Sequence, residues 1–248
     1  MTTRQMLSLL RKGITKYKLI KDGDKIAVGV SGGKDSVTLL KLLAEYKRFS
    51  PEKFDLIAIT IDLDFTGANP DYSPIQSLCD SLGVQYFIEK TDIGKIVFDV
   101  RKESNPCALC SKMRKGALNL LAKKLGCNKV AIGHHRDDLI DTMFLSLFYE
   151  GRLSTFAPKS YLDKTELTLI RPMIMIAEID VVSYSKTLPI VNSCCPANKL
   201  TKREKVKEIV SNIAKDIPNI RDMCFTALTH PERYNLFDKF EGQSDKID

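Results

Sequence analysis

The 248-residue sequence has no uninterrupted apolar stretch of bilayer-spanning length. Its opening, MTTRQMLSLLRKG, has neither the apolar core nor the cleavage site of an export signal. Together these absences argue against a helical membrane protein and lead to the expectation of a cytoplasmic location with no membrane partner. Repeats and low-complexity tracts are also lacking, which argues against solenoid and disordered classes. Seven cysteines would suggest a disulfide framework in a small secreted chain, but this one is too long to need it. Free thiols or metal ligands are the better reading. What is present is 44% hydrophobic residues, enough for one large domain or one domain with a small appendage, and a net charge of +7. That charge concentrates at residues 11–25, 112–124 and 199–207, which suits a phosphate-rich partner as well as ordinary solvated helix faces.

Two familiar nucleotide motifs are missing as well. The segment KIAVGVSGGKDSVTLLKLL, residues 25–43, reads as strand, turn and helix, so its turn lies at a helix N-terminus, where unpaired N–H groups and the helix dipole favour an anion. Gly32 and Gly33 let the backbone approach closely, Ser31 and Ser36 add hydroxyls, and Lys34 adds charge. A Walker A loop would need Ser or Thr after Lys34 and glycine in place of Val28; a dinucleotide fingerprint would need glycine in place of Ser31. Neither a P-loop GTPase nor a Rossmann dehydrogenase fits. The carboxylate of Asp35, set among donors for a polyanion, makes sense when a cation such as Mg²⁺ bridges it to phosphate. The plainer alternative is a glycine-rich turn with a helix-capping Asp, for which one of these residues would suffice.

An opening helix over 3–17 is followed by β-rich runs at 25–30, 54–61, 84–89, 129–133 and 167–171. Helical patterns lie between them at 36–48, 73–82, 108–125 and 136–149. This alternation predicts an α/β fold with a doubly wound, mostly parallel five-stranded sheet. Beyond Pro172 the pattern turns helical, near 176–187, 201–215 and 217–228. The expected organisation is an N-terminal helix in 1–24, a nucleotide-binding domain in 25–172 and a helical extension in 173–248 packed on it. Ligands bind at the carboxyl ends of such strands, and there stand Ser31 to Gly33, Asp62, and the run Gly133-His134-His135-Arg136-Asp137-Asp138. A helix cap would account for Asp137 and Asp138 but not for the two histidines and Arg136, so a nucleotide or Mg²⁺ site is the stronger reading. Adjacent histidines rarely ligate one zinc ion.

Cys107-Ala-Leu-Cys110 opens the long helix, where the helix N-terminus and Lys112 are expected to lower thiol pKa values. Alone, the spacing is ambiguous between zinc, an iron–sulfur cluster and a redox dithiol. Cys194-Cys195 supplies further sulfur, and two neighbouring cysteines seldom bind one ion, so three ligands are the expected inventory. Three thiolates suit a cluster with one open iron better than closed zinc. Cys79, Cys127 and Cys224 sit in apolar patterns and read as core.

Ser31-Gly32-Gly33-Lys34-Asp35-Ser36 matches the SGGxDS signature of the PP-loop ATP pyrophosphatases. With Cys107-Ala-Leu-Cys110, Gly133 to Asp138 and Arg171-Pro172, the sequence resembles the TtcA family of tRNA 2-thiocytidine synthetases, from about Lys25 to Arg203. The resemblance implies that the loop holds ATP for cleavage between the α and β phosphates, with Lys34 and Asp35 acting there. It implies nucleotide contacts from Ser31 to Ser36, Asp62, Gly133, His134, Arg136, Asp137 and Asp138. It also implies Mg²⁺ and a 4Fe–4S cluster on Cys107, Cys110 and one of the adjacent pair, Cys195 by register from Arg203. The implied reaction adenylates the oxygen at C2 of a cytidine, at position 32 of the anticodon loop, and replaces that oxygen by sulfur. The implied partners are tRNA and a sulfur donor system, cysteine desulfurase or sulfide. Many relatives extend further at the C-terminus, which implies a tRNA surface that is reduced or completed by a second subunit in a homodimer. A TtuA-type thiouridine synthetase, a lysidine synthetase and a non-catalytic iron–sulfur sensor are the alternatives.

Overall fold

The computed structural model describes residues 1–65, 70–101, 106–191, 195 and 202–235. Six strands form one sheet: β1 (Asp24–Gly29), β2 (Phe54–Asp62), β3 (Gln85–Lys90), β4 (Lys129–Ala131), β5 (Lys159–Leu162) and β6 (Leu167–Ile170). Their order is β3-β2-β1-β4-β6-β5, parallel except for the β5/β6 hairpin. The doubly wound parallel sheet is as the alternating pattern predicts, with six strands where the pattern showed five. The sixth, β5, is a short antiparallel edge whose Tyr161 is 60% exposed, so it carries no apolar run to announce it. Strand order reverses between β1 and β4, and in an open α/β sheet that reversal leaves a crevice at the strands' carboxyl ends.

Alternation within the strands fills both faces. Ile26 and Val28 of β1 and Leu56 and Ala58 of β2 join one apolar cluster, while Ala27, Ile57 and Ile59 join the other. The first face is covered by α1 (Thr3–Tyr17), α2 (Lys34–Lys47), α3 (Ser73–Leu82) and α6 (Glu178–Ser185). α1 starts with a capping box between Thr2 and Gln5 and buries Met6, Leu10 and Ile14 at helical spacing. In α2, Leu39, Leu40, Leu42 and Leu43 are wholly buried, each stabilising the fold by about 1.5–3 kcal/mol relative to exposure. Such burial fixes the helix whose first turn forms the loop. On the other face α4 (Pro106–Lys124) contributes Leu118 and Ala122.

The chain divides into two compact units, Met1–Asp138 with Phe156–Thr201, and Leu139–Thr155 with Lys202–Asp248. The helices beyond Pro172 are therefore shared out: α6 belongs to the first unit, α7 (Lys202–Asp216) and α8 (Ile220–Thr229) to the second. Within the second unit, Arg221 lies 3.4 Å from the wholly buried Asp141 in α5 (Arg136–Glu150). Burial pushes the Asp141 carboxyl up in pKa, with the positive charges of Arg221, Lys207 and Arg203 opposing it. Among the described residues no helix is long and apolar enough to cross a membrane.

Candidate active site

The loop after β1 is braced before any ligand arrives. The Ser31 N–H donates to Ser36 Oγ (3.1 Å), and that hydroxyl donates to the Gly33 carbonyl (2.9 Å). Gly32 has φ +84°, and a Cβ there would fall 2.8 Å from Cβ of Val191, whose N–H donates to the Gly32 carbonyl. Gly32 is thus required by packing against residue 191. Gly33 differs: it is the N-cap of α2 with φ −72°, and an added Cβ would meet only Ser31 Oγ, at 3.6 Å. At Gly133 a Cβ would lie 2.8 Å from the Asp35 carbonyl carbon and oxygen, so the turn after β4 presses backbone to backbone on the first turn of α2. Gly133→Ala is expected to cost about 1–3 kcal/mol through this overpacking; an unchanged thermal midpoint would contradict the close approach.

Charged groups surround the first turn of α2. Lys34 Nζ is 2.8 Å from Asp35 Oδ1 and 3.1 Å from Glu178 Oε1. Burial pulls the Lys34 ammonium down in pKa, but hydrogen bonds and attraction from Asp35 and Glu178 outweigh it and the net shift is upward. His135, only 1% exposed, faces the same carboxylates, with Nε2 3.6 Å from Asp35 Oδ1 and 3.9 Å from Glu178 Oε1. Its Nδ1 accepts from the Asp138 N–H (3.3 Å), and Asp138 Oδ2 accepts from the His135 N–H (3.0 Å). Asp137 is buried and turned elsewhere: its Oδ2 accepts from the Glu178 N–H at 2.7 Å, capping α6. Arg136 donates its backbone N–H to the Ile176 carbonyl (2.9 Å). Asp137→Ala is expected to lower stability by about 1 kcal/mol, the usual loss of a cap, with little change in KM for ATP. A selective rise in KM would instead place Asp137 on the nucleotide.

A cavity of ≈ 550 Å³ opens at the carboxyl ends of the strands, within the size range of small-molecule sites. Of the residues singled out in the sequence, Ser31, Gly33, Asp35, Ser36, Asp62, Gly133, His134 and Asp138 line it. So do Cys107, Cys110 and Cys195. Gly32, Lys34, Arg136 and Asp137, grouped with the nucleotide contacts by sequence, do not line it; Gly32 packs on Val191, Lys34 pairs with Asp35 and Glu178, and Asp137 accepts from the Glu178 N–H. Glu178 escaped the sequence-based site, and His135, which the sequence placed in the run after β4, was not among the nucleotide contacts that the resemblance implies. Glu178 lies 144 positions from Lys34, so no spacing could reveal it; its one signal is an acidic first turn in α6.

The thiols need one correction. The Cys110 thiol is pushed up in pKa, not down, because burial outweighs the charge of Arg114, with neighbouring Cys195 and Cys107 adding to the rise. This also shows all three sulfurs within electrostatic reach. Among the described residues no group of three His, Cys, Asp or Glu is arranged to hold a single metal ion. Three thiols that line one cavity without converging on a single ion fit a multi-iron cluster, whose ligands attach to different irons, better than a closed mononuclear centre. Magnesium typically takes one or two carboxylates plus substrate phosphates, so Asp35 beside the loop suffices for it without a preformed cage. Cys194 lies outside the described residues. Cys79 and Cys127 are buried in the core, and burial raises the Cys79 thiol to about 11.

The sequence matches the PP-loop domain family over residues 2–237. Relatives span nearly the whole chain. The tRNA-cytidine(32) 2-sulfurtransferase of Citrifermentans bemidjiense is 36% identical over 92% of this chain and 91% of its own. That of Syntrophotalea carbinolica is 38% identical over 95% and 92%. The chain belongs to the PP-loop family, among the tRNA-cytidine(32) 2-sulfurtransferases. The relative from Aliivibrio fischeri is 38% identical over 91% of this PP-loop chain and 76% of its own length. Among solved structures, the U34-tRNA thiolase NcsA from Methanococcus maripaludis with its 4Fe–4S cluster superposes with a TM-score of 0.74 at 26% identity. It covers 94% of this PP-loop chain and 79% of the other.

Proposed function

We propose that this PP-loop protein is an ATP-dependent tRNA thiolase that adenylates O2 of a cytidine in the anticodon loop, at position 32, and replaces that oxygen with sulfur. The observation that carries the reading is that the nucleotide loop and the three cysteines line one cavity. A nucleotide site alone would serve any PP-loop reaction, and cysteines alone would serve a sensor.

The oxygen on C2 of a pyrimidine is a poor leaving group. Attack of O2 on the α phosphorus forms an O–P bond and breaks the α–β bridge, releasing pyrophosphate. A sulfur nucleophile then forms the C–S bond, and AMP departs with the former O2. In this chain the α2 N-terminus and the Ser31–Ser36 brace would hold phosphate, Asp35 would hold a magnesium ion that offsets its charge, and Gly33 leaves room for its approach. Cys107, Cys110 and Cys195 would hold a 4Fe–4S cluster, which when bound supplies the site from which sulfur is delivered. Ile61, Phe65, Tyr72 and Phe98 line the same cavity and would limit water around an activated base bound there.

The reading requires AMP and pyrophosphate to form from ATP only when tRNA is present. A sensor would bind ATP without that turnover. Lys112, Arg114 and Lys115 on α4 and Lys202 on α7 are exposed and suited to tRNA phosphates. Reversing each is expected to weaken tRNA binding and to reduce the salt slope by about one unit for every phosphate left without its cation. Arg203 belongs to a different class, because its Nη2 donates to Thr142 Oγ1 (3.2 Å). Arg203→Glu should therefore also lower stability, readable as a fall in thermal midpoint that Lys112→Glu does not show.

A further inference from the structure

We propose that Arg171 is a positioning residue that locks His134 as the neutral Nε2–H tautomer, making it a fixed hydrogen-bond donor to an oxygen of the bound nucleotides. The identity of those nucleotides rests on the function proposed above; the tautomer does not.

Arg171 Nε stands 3.2 Å from His134 Nδ1 and donates to it. A guanidinium has donors only, so Nδ1 must present its lone pair, and the ring proton must sit on Nε2. A second proton on Nδ1 would set two N–H groups head to head beside a fixed positive charge. His134 is therefore a poor general base through Nδ1 and a poor cation for phosphate, but a well-defined donor.

Both members are held rigidly. The His134 ring packs on Phe156 at 4.8 Å between centroids and 31° between planes, and the Arg171 guanidinium lies 4.7 Å over the same ring. Arg171 Nη1 donates to the Ala157 carbonyl and to Ser160 Oγ, and its backbone N–H to the Pro158 carbonyl. Arg171 is 7% exposed, and among the described residues it forms no ion pair with a carboxylate. Burial lowers its pKa to about 10. A buried cation bonded to carbonyl, hydroxyl and imidazole acceptors gains less than one paired with a carboxylate. Orienting a cavity-lining histidine gives that arrangement a purpose. His134 stands beside Gly133, which abuts the first turn of α2, and shares the cavity wall with Ser36 and Asp138. A donor there meets acceptors of one chemistry, phosphate or pyrimidine carbonyl oxygens.

The chain has three histidines, so ¹⁵N-histidine spectra of the full protein are countable, with His134→Gln and His230→Gln giving assignments. At pH 7.5 the wild-type His134 is expected to show a pyridine-type Nδ1 and a protonated Nε2. Arg171→Met should move both nitrogens toward tautomer-averaged shifts and lower kcat for AMP formation roughly tenfold, with KM for ATP little changed. Arg171→Lys, which keeps a donor, should restore part of each. A shift of the Nε2–H signal on adding α,β-methylene-ATP alone would assign the acceptor to phosphate. A shift that needs an anticodon stem-loop would assign it to the target base. A protonated Nδ1 in the wild type overturns the proposal whether or not Arg171→Met folds, as do unchanged nitrogen shifts in a folded Arg171→Met. If the wild type forms no AMP while the tautomer is as stated, the functional reading fails and the lock stands.

Discussion

Asp35→Asn is expected to lower tRNA-dependent conversion of ATP to AMP by at least about a thousandfold, the order set by losing a cation's stabilisation of phosphate charge. The fold should survive. Asp35 is about one-third exposed, and its pairing with Lys34 (2.8 Å) is of the kind that contributes about 0–1 kcal/mol. Lys34 keeps a second partner in Glu178. Gly33→Val tests the same site by bulk in place of charge. The backbone at φ −72° accepts a side chain, and the added Cβ meets only Ser31 Oγ at 3.6 Å, so what it obstructs is the space where phosphate must approach. Asp35→Asn should unfold at the wild-type temperature, Gly33→Val should stay folded with a small fall in thermal midpoint because Val is a poor N-cap, and both should release pyrophosphate at background rate. Wild-type rates in either would remove the loop from the chemistry.

The second large effect concerns the sulfurs. Anaerobically prepared protein is expected to be brown, and Cys107→Ala, Cys110→Ala and Cys195→Ala should each lose the visible charge-transfer absorption. Cys194→Ala should keep most of it. The three residues share one cavity, and Cys110 senses both of the others electrostatically, so deleting any one would remove a third of the proposed ligand set. Cys127→Ala is the matched control, since that thiol packs with Ala122 and Val130 in the core. It should lose stability without losing colour. Loss of absorption on changing Cys194 but not Cys195 would shift the third ligand by one residue.

Much of this architecture is legible in the sequence because the same physics writes both. β1 and β2 are β-branched runs with alternating partners on two faces, and α1 carries its capping box and apolar stripe in plain order. The loop and the close-approach glycine after β4 follow directly from where those strands end. Other features depend on tertiary placement. β5 is an exposed edge strand with no apolar signature. The π-helical turn Lys95–Val100 is entered through Gly94, where a Cβ would lie 2.6 Å from the Leu63 carbonyl, a packing fact invisible locally. Glu178 reaches Lys34 only because α6 packs beside α2. Asp137 and Asp138 are adjacent and chemically identical, yet one caps α6 and the other lines the cavity. No reading of the run Gly133 to Asp138 by itself separates them. His134 and His135 divide in the same way, one toward Arg171 and the other toward Asp35.

The central claim is thiolation of a cytidine at the expense of ATP, and nucleoside mass spectrometry tests it most directly. Purified protein carrying its cluster is incubated with ATP, Mg²⁺, sulfide and tRNA that bears a cytidine at position 32, and the digested tRNA is then analysed. The account predicts 2-thiocytidine at that position, absent without ATP and absent with Asp35→Asn. Thiouridine with cytidine 32 untouched, or no thiolated nucleoside under any of these conditions, would contradict it.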